Sequence, residues 1–153
     1  MKVIFGKSIT SKYDSKKLYK TVLEKFDEYN MNVFIVNNTP YKALSKKNEY
    51  REEAFQKHIS NPTYTLVNEI LDLEKEIEDF KFKVKYLKAQ LTNEELMIFN
   101  HSIIERELDK MIMPIINKYS HSYYEIKISC YLKVAICFGI EQPLLTPEKV
   151  VTQ

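Results

Sequence analysis

The stretch LVNEILDLEKEIEDFKFKVKYLKAQL, Leu66 to Leu91, decides how the rest of the chain is read. Leu66, Ile70, Leu73, Ile77, Phe80, Val84, Leu87 and Leu91 recur at alternating intervals of 4 and 3 residues. That alternation marks a helix with a single apolar seam. Ile70, Ile77, Val84 and Leu91 take the a positions, and Leu66, Leu73, Phe80 and Leu87 the d positions. β-Branched residues mostly at a, with leucine mostly at d, favour a parallel two-stranded coiled coil. Homodimerisation through residues 64–91 is therefore expected. The alternative is a seam turned inward against other helices of the same chain, and the bulk of Phe80 at a d position keeps that option open.

Upstream of the seam, SNPT (Ser60–Thr63) starts the helix, with Asn61 as N-cap and Pro62 in the first turn, where a missing N–H costs nothing. Tyr41–His58 is polar with thin apolar marks and reads as a surface helix or connector. At the front, KVIF (Lys2–Phe5) and MNVFIV (Met31–Val36) are short β-branched and aromatic runs that predict strands. Between them Leu18, Val22 and Phe26 fall at helical spacing, with Asp14 or Ser15 as N-cap. NNTP (Asn37–Pro40) reads as a turn.

Downstream, Thr92 followed by Glu95 predicts a capping box, with Leu96, Phe99, Ile103 and Leu108 facing inward. A short helix over roughly Met111–Lys118 follows, with Pro114 in its first turn and Ile112, Met113 and Ile116 inward. The stretch YSHSYYEIKISCYLKVAICFGIE (Tyr119–Glu141) is the last helix. Ser122 and Glu125 suggest a second capping box. Ile126, Cys130, Val134 and Phe138 form a core face, and Gly139 with Ile140 fits a Schellman ending. The expected fold is mainly α: a long heptad helix, a C-terminal helix-turn-helix bundle and a small N-terminal strand–helix–strand unit. The expected divisions are 1–58, 61–141 and a tail at 142–153.

Composition narrows the function. The chain has 153 residues and a formal net charge of +2. The basic excess lies in residues 1–60, whereas residues 101–141 carry five Lys and Arg against five Asp and Glu. No apolar run reaches the length of a membrane span, and the start is too short in apolar residues for a signal peptide, so a cytoplasmic protein is expected. Two glycines rule out a glycine-rich phosphate loop. Cys130 and Cys137, seven apart on one helix, are too far apart for a disulfide within the chain and read as reduced, structural thiols. His58, His101 and His121 are far apart in sequence and read as lacking the i, i+3 or i+4 partners of a helical metal site. Acidic groups such as Glu76/Glu78/Asp79 and Glu94/Glu95 read as solvated helix faces. No metal, no cofactor and no enzymatic activity are expected.

The beginning of the last helix is the candidate site. Lys118, His121, Ser122, Tyr123, Tyr124 and Lys127 surround its first turn. In a helix-turn-helix the second helix presents such N-terminal residues to base edges and phosphates. The bland alternative is that the two tyrosines pack and the lysines form a solvated edge.

Residues from about Ser60 to Glu141 also carry an ordered set of short motifs: Ser60-Asn61-Pro62-Thr63, Leu91-Thr92-Asn93-Glu94-Glu95, Ser122-Tyr123-Tyr124-Glu125-Ile126-Lys127, Lys133-Val134-Ala135 and Gly139-Ile140-Glu141. In order and spacing this half of the chain resembles the ArpU/RinA group of phage transcriptional regulators. Glu125, where that group has a basic residue, and Pro114 depart from its pattern. The resemblance implies a sigma-factor region-4-like helix-turn-helix, double-stranded DNA as partner and contact with host RNA polymerase. The expected function is a DNA-binding regulator of a phage or mobile element; a protein-binding adaptor or antirepressor with a vestigial helix-turn-helix is the alternative.

Overall fold

The structure is a computed structural model that describes residues 2–39 and 61–141, the side chains of 61–66 excepted. Six α-helices account for most of it: α1 (Lys7–Thr10), α2 (Ser15–Asn38), α3 (Asn61–Gln90), α4 (Asn93–Ile98), α5 (Asp109–Ile116) and α6 (Ser120–Cys137). A π-helical turn, Phe99–Ile104, prolongs α4. No β-strand forms among the described residues, so the expected strand–helix–strand unit is absent there. No described helix is long and apolar enough to cross a membrane.

Both predicted strands fail for identifiable reasons. MNVFIV lies inside α2, because Leu18, Val22, Phe26, Tyr29, Val33 and Val36 form one helical stripe that its local β-propensity does not overrule. Lys2–Phe5 forms neither helix nor strand; it lies against α6, where the Phe5 amide donates to Ser129 Oγ at 2.8 Å and Lys133 Nζ to the Val3 carbonyl at 2.7 Å. Asp14 caps α2 as expected, its Oδ1 accepting from the Lys16 and Lys17 amides at 3.1 and 3.3 Å.

The chain divides into two compact units. One comprises the residues up to Phe26 together with those from Lys83 onward; the other is Asp27–Phe82. The described residues up to Phe26 therefore group with the C-terminal helices. Tyr41–His58, Pro40, Ser60 and the tail at 142–153 lie outside the described residues.

The Asp27–Phe82 unit is a pairing of α2 with α3. Val36, Ile70 and Ile77 are buried in it, with Tyr29, Val33 and Leu73 packed around them. Tyr29 stacks on Phe80, ring centroids 4.0 Å apart. In the other unit Leu87 and Leu91 are buried as well, while Val84 is half-buried. The seam, Leu66 aside since its side chain is not described, is thus taken up largely within one chain. That favours the inward alternative over the expected dimer: an a/d stripe specifies an apolar partner surface, and α2 supplies one.

The larger unit is centred on α6. Phe26 meets Phe99 and Phe138 edge-on, at 5.7 and 5.9 Å. The expected capping box at Thr92 is formed, with the Glu95 amide on Thr92 Oγ1 (3.2 Å) and the Thr92 amide on Glu95 Oε1 (3.0 Å). Gly139 has φ 69°. Its amide reaches the Ile136 carbonyl and the Ile140 amide the Ala135 carbonyl, which completes the Schellman ending.

Candidate functional site

The α5–α6 corner is set by backbone. Asn117 adopts the left-handed conformation (φ 55°, ψ 42°) and ends α5, as a C-terminal cap residue does. Ser120, at φ 49°, then turns the chain into α6. α5 starts at Asp109, two residues earlier than expected, so Pro114 lies beyond its first turn. α6 likewise starts at Ser120 with Tyr119 as N-cap and no side-chain cap bond. Ser122 is therefore already inside the helix, and the expected box with Glu125 does not form. Glu125 instead accepts from His121 Nε2 at 2.9 Å, one turn away.

The six sequence-predicted site residues separate into two groups. His121, Ser122 and Tyr124 are exposed, and Lys118 is half-buried. Tyr123 is 0% exposed and Lys127 9%. Both of these are bound to one carboxylate: Asp109 Oδ1 accepts from the Tyr123 hydroxyl at 2.6 Å, and Lys127 Nζ lies 2.9 Å from each Asp109 oxygen. Asp109 occupies the first turn of α5, where the helix dipole also favours a negative charge. Aromatic rings complete the surroundings of Lys127. Its ammonium lies 4.3 Å from the centroid of Tyr19, 5.7 Å from Tyr131 and 5.8 Å from Tyr124.

Three of the tyrosines around this ion pair, Tyr19, Tyr123 and Tyr131, are held neutral. Burial, then the negative charge of Asp109, pushes the Tyr19 phenol up to about 12. Burial together with the hydrogen bond to Asp109 raises Tyr123 well above the ordinary tyrosine value. Burial also raises Tyr131, whose hydroxyl is 2.6 Å from Ser102 Oγ. A cluster of this kind fixes the angle between α5 and α6. The one donor of Tyr123 and two of the three on Lys127 are taken up by Asp109, and both side chains are buried away from a phosphate.

Beyond its first turn, α6 has little free surface. Ile126, Lys127, Ser129, Cys130, Tyr131, Leu132, Val134 and Ala135 are all buried. A helix that reads a groove needs an open face along several turns; here the open part is limited mainly to Ser120–Ser122, Tyr124 and Glu125.

A second polar network lies deeper. Glu95, read from sequence as a cap and as part of a solvated acidic pair, is 0% exposed, which corrects the second reading. Its Oε1 takes Lys133 Nζ and its Oε2 the Ser129 hydroxyl, each at 2.6 Å. Cys130 donates to the Glu95 carbonyl at 3.3 Å, and burial raises its thiol pKa well above the ordinary value. Both cysteines are free thiols.

Sequence reasoning missed Asp109 and the inward role of Glu95. The available signal for Asp109 was an acid at a helix start; no local pattern tied it to Lys127. Comparisons with protein-family models, with curated proteins and with solved structures found no match for this chain.

Proposed function

We propose that the protein is a helical adaptor that binds another protein, its helix-turn-helix-like corner serving as scaffold. One observation carries this reading. On α5, Ile112 and Ile116 are buried, while Met111 and Ile115, with the N-cap residue Leu108 ahead of them, face solvent. Met111 is 58% exposed. Met111 and Ile115, one turn apart, with Leu108 at the N-cap, offer exposed apolar side chains that suit the apolar face of an amphipathic helix on a partner. The sealing of Tyr123 and Lys127, and the balanced charge of residues 101–141, support the same choice over DNA.

The test is a photo-crosslinking residue at Met111 in the full chain, with one at Lys16 as control. A partner captured from Met111 alone, purified, and bound about tenfold or more weakly by Met111→Glu/Ile115→Glu, is expected.

A second reading, the DNA-binding regulator, keeps one specific support: the open first turn of α6, with Lys118, His121, Ser122 and Tyr124, follows a short helix and a tight turn. Anisotropy with labelled duplexes at about 50 and about 200 mM salt separates the two. Salt-sensitive, sequence-selective binding lost in Lys118→Glu overturns the adaptor.

A further inference from the structure

Three side chains between α4 and α5 converge without any role in the contacts described above. The π-helical turn ends with the Glu105 amide bonded to the Asn100 carbonyl at 3.0 Å. Arg106 then takes a positive φ of 58°, and the chain doubles back so that the Glu107 amide reaches the His101 carbonyl at 2.8 Å. This reversal adds Glu107 to a pair, His101 and Glu105, that helical spacing already places on one side. His101 Nδ1 is 2.8 Å from Glu107 Oε2 and 3.9 Å from Glu105 Oε2, and one ligand atom from each residue lies within 4.8 Å of the others.

We propose that His101, Glu105 and Glu107 bind a divalent transition-metal ion, Zn²⁺ in the first instance. An imidazole with two carboxylates is a donor set that suits Zn²⁺ and disfavours Mg²⁺ and Ca²⁺, which take oxygen ligands. Metal–ligand bonds of about 2.0–2.2 Å place the donor atoms of one coordination sphere roughly 3–3.5 Å apart. The observed 2.8 and 3.9 Å separations bracket that spacing, so small rotations of the exposed Glu105 and the half-buried His101 and Glu107 side chains complete it.

Charge gives independent support. Among the described residues, His101 is the sole basic group in ion-pair contact with either carboxylate. Arg106, between them in sequence, donates to the carbonyls of Ile103 at 2.8 Å and Leu23 at 3.0 Å. With a neutral imidazole, two carboxylates thus share a small volume, and a dication relieves their repulsion. Glu105 is open to solvent, which leaves room for water to fill the remaining positions on the ion. Such an ion ties the π-helical turn to Glu107, two residues before Asp109 at the start of α5. The sequence signal is H-x-x-x-E-x-E, in which Glu105 stands at i+4 from His101; this corrects the expectation that the histidine lacks a helical metal-site partner.

The experiment is calorimetric titration of the full chain, stripped with a chelator and kept reduced, with ZnCl₂. One equivalent is expected, weakened about tenfold or more by Glu107→Gln and by Glu105→Gln, and unchanged by Cys137→Ser. The exposed position of Glu105 makes its variant usable if Glu107→Gln fails to fold. In parallel, substoichiometric Mn²⁺ should broaden amide resonances around residues 101–107 first. The proposal is overturned if the wild type binds no more Zn²⁺ than His101→Ala/Glu105→Gln, or if affinity follows Cys137 and not the two glutamates.

Discussion

Lys127 and Asp109, eighteen residues apart, form a two-pronged ion pair, the ammonium 2.9 Å from both carboxylate oxygens. Removing one partner strands the other in a poorly hydrated place. Asp109→Ala should destabilise the chain by about 3 kcal/mol. Lys127→Met, which keeps the aliphatic stem among the tyrosines but strands Asp109, should cost less, because Asp109 is the more solvated of the two and keeps the Tyr123 hydroxyl. Urea midpoints for the two variants and their double mutant measure the coupling.

Glu95 and Lys133 set a sharper version of the same test, since the carboxylate is wholly enclosed. Glu95→Gln should cost about 3 kcal/mol, and Glu95→Gln/Lys133→Met should recover part of it. Additive losses would mean that the pair carries no mutual stabilisation. Deleting residues 1–5 should weaken the chain too, because Ser129 and Lys133 both hold that segment.

Alkaline pH should unfold the protein earlier than a chain with exposed tyrosines. A phenol ionises near 10 once unfolded, but Tyr19 is held up to about 12 in the folded chain. The neutral form is thus favoured by folding. The stability tied to it is whole below about pH 10 and falls as pH rises through about 12. Tyr123 and Tyr131 are shifted in the same direction. Phenolate absorbance followed with denaturant midpoints across this window should show the decline, reduced in Tyr19→Phe.

The buried seam makes a prediction about concentration. Ile77→Ala should lower stability by about 2 kcal/mol through the cavity it leaves. The loss should be equal at low and high protein concentration, because Ile77 packs on Val36 of its own chain. A midpoint that climbs with concentration would place a second chain on the seam. Met111→Glu, on the open face of α5, should stay within about 0.5 kcal/mol of wild type.

Local rules carried well from sequence to structure. The 4-and-3 spacing of Ile70 to Leu91, the Thr92–Glu95 cap and the Gly139 ending all depend on residues within one or two turns, and all three elements form. What the seam packs against did not carry, since the same stripe fits a second chain or α2 equally well. MNVFIV misled because its β-branched residues are also the continuation of a helical stripe begun thirteen residues earlier at Leu18. The site suffered most. α6 is apolar nearly all round, so its pattern cannot say which residues are wet, and Tyr123 and Lys127 were placed outside when Asp109 draws them in.

The order of synthesis meets this topology awkwardly. Phe5 and Val3 bond to partners 124 and 130 residues further along. On the ribosome the segments of α2 and α3 that pair within Asp27–Phe82 are therefore both made while the segment before them still waits for α6. Until the last helix emerges, Leu18, Val22 and Phe26 have no finished core to enter, and that interval is when a nascent chain most needs a chaperone.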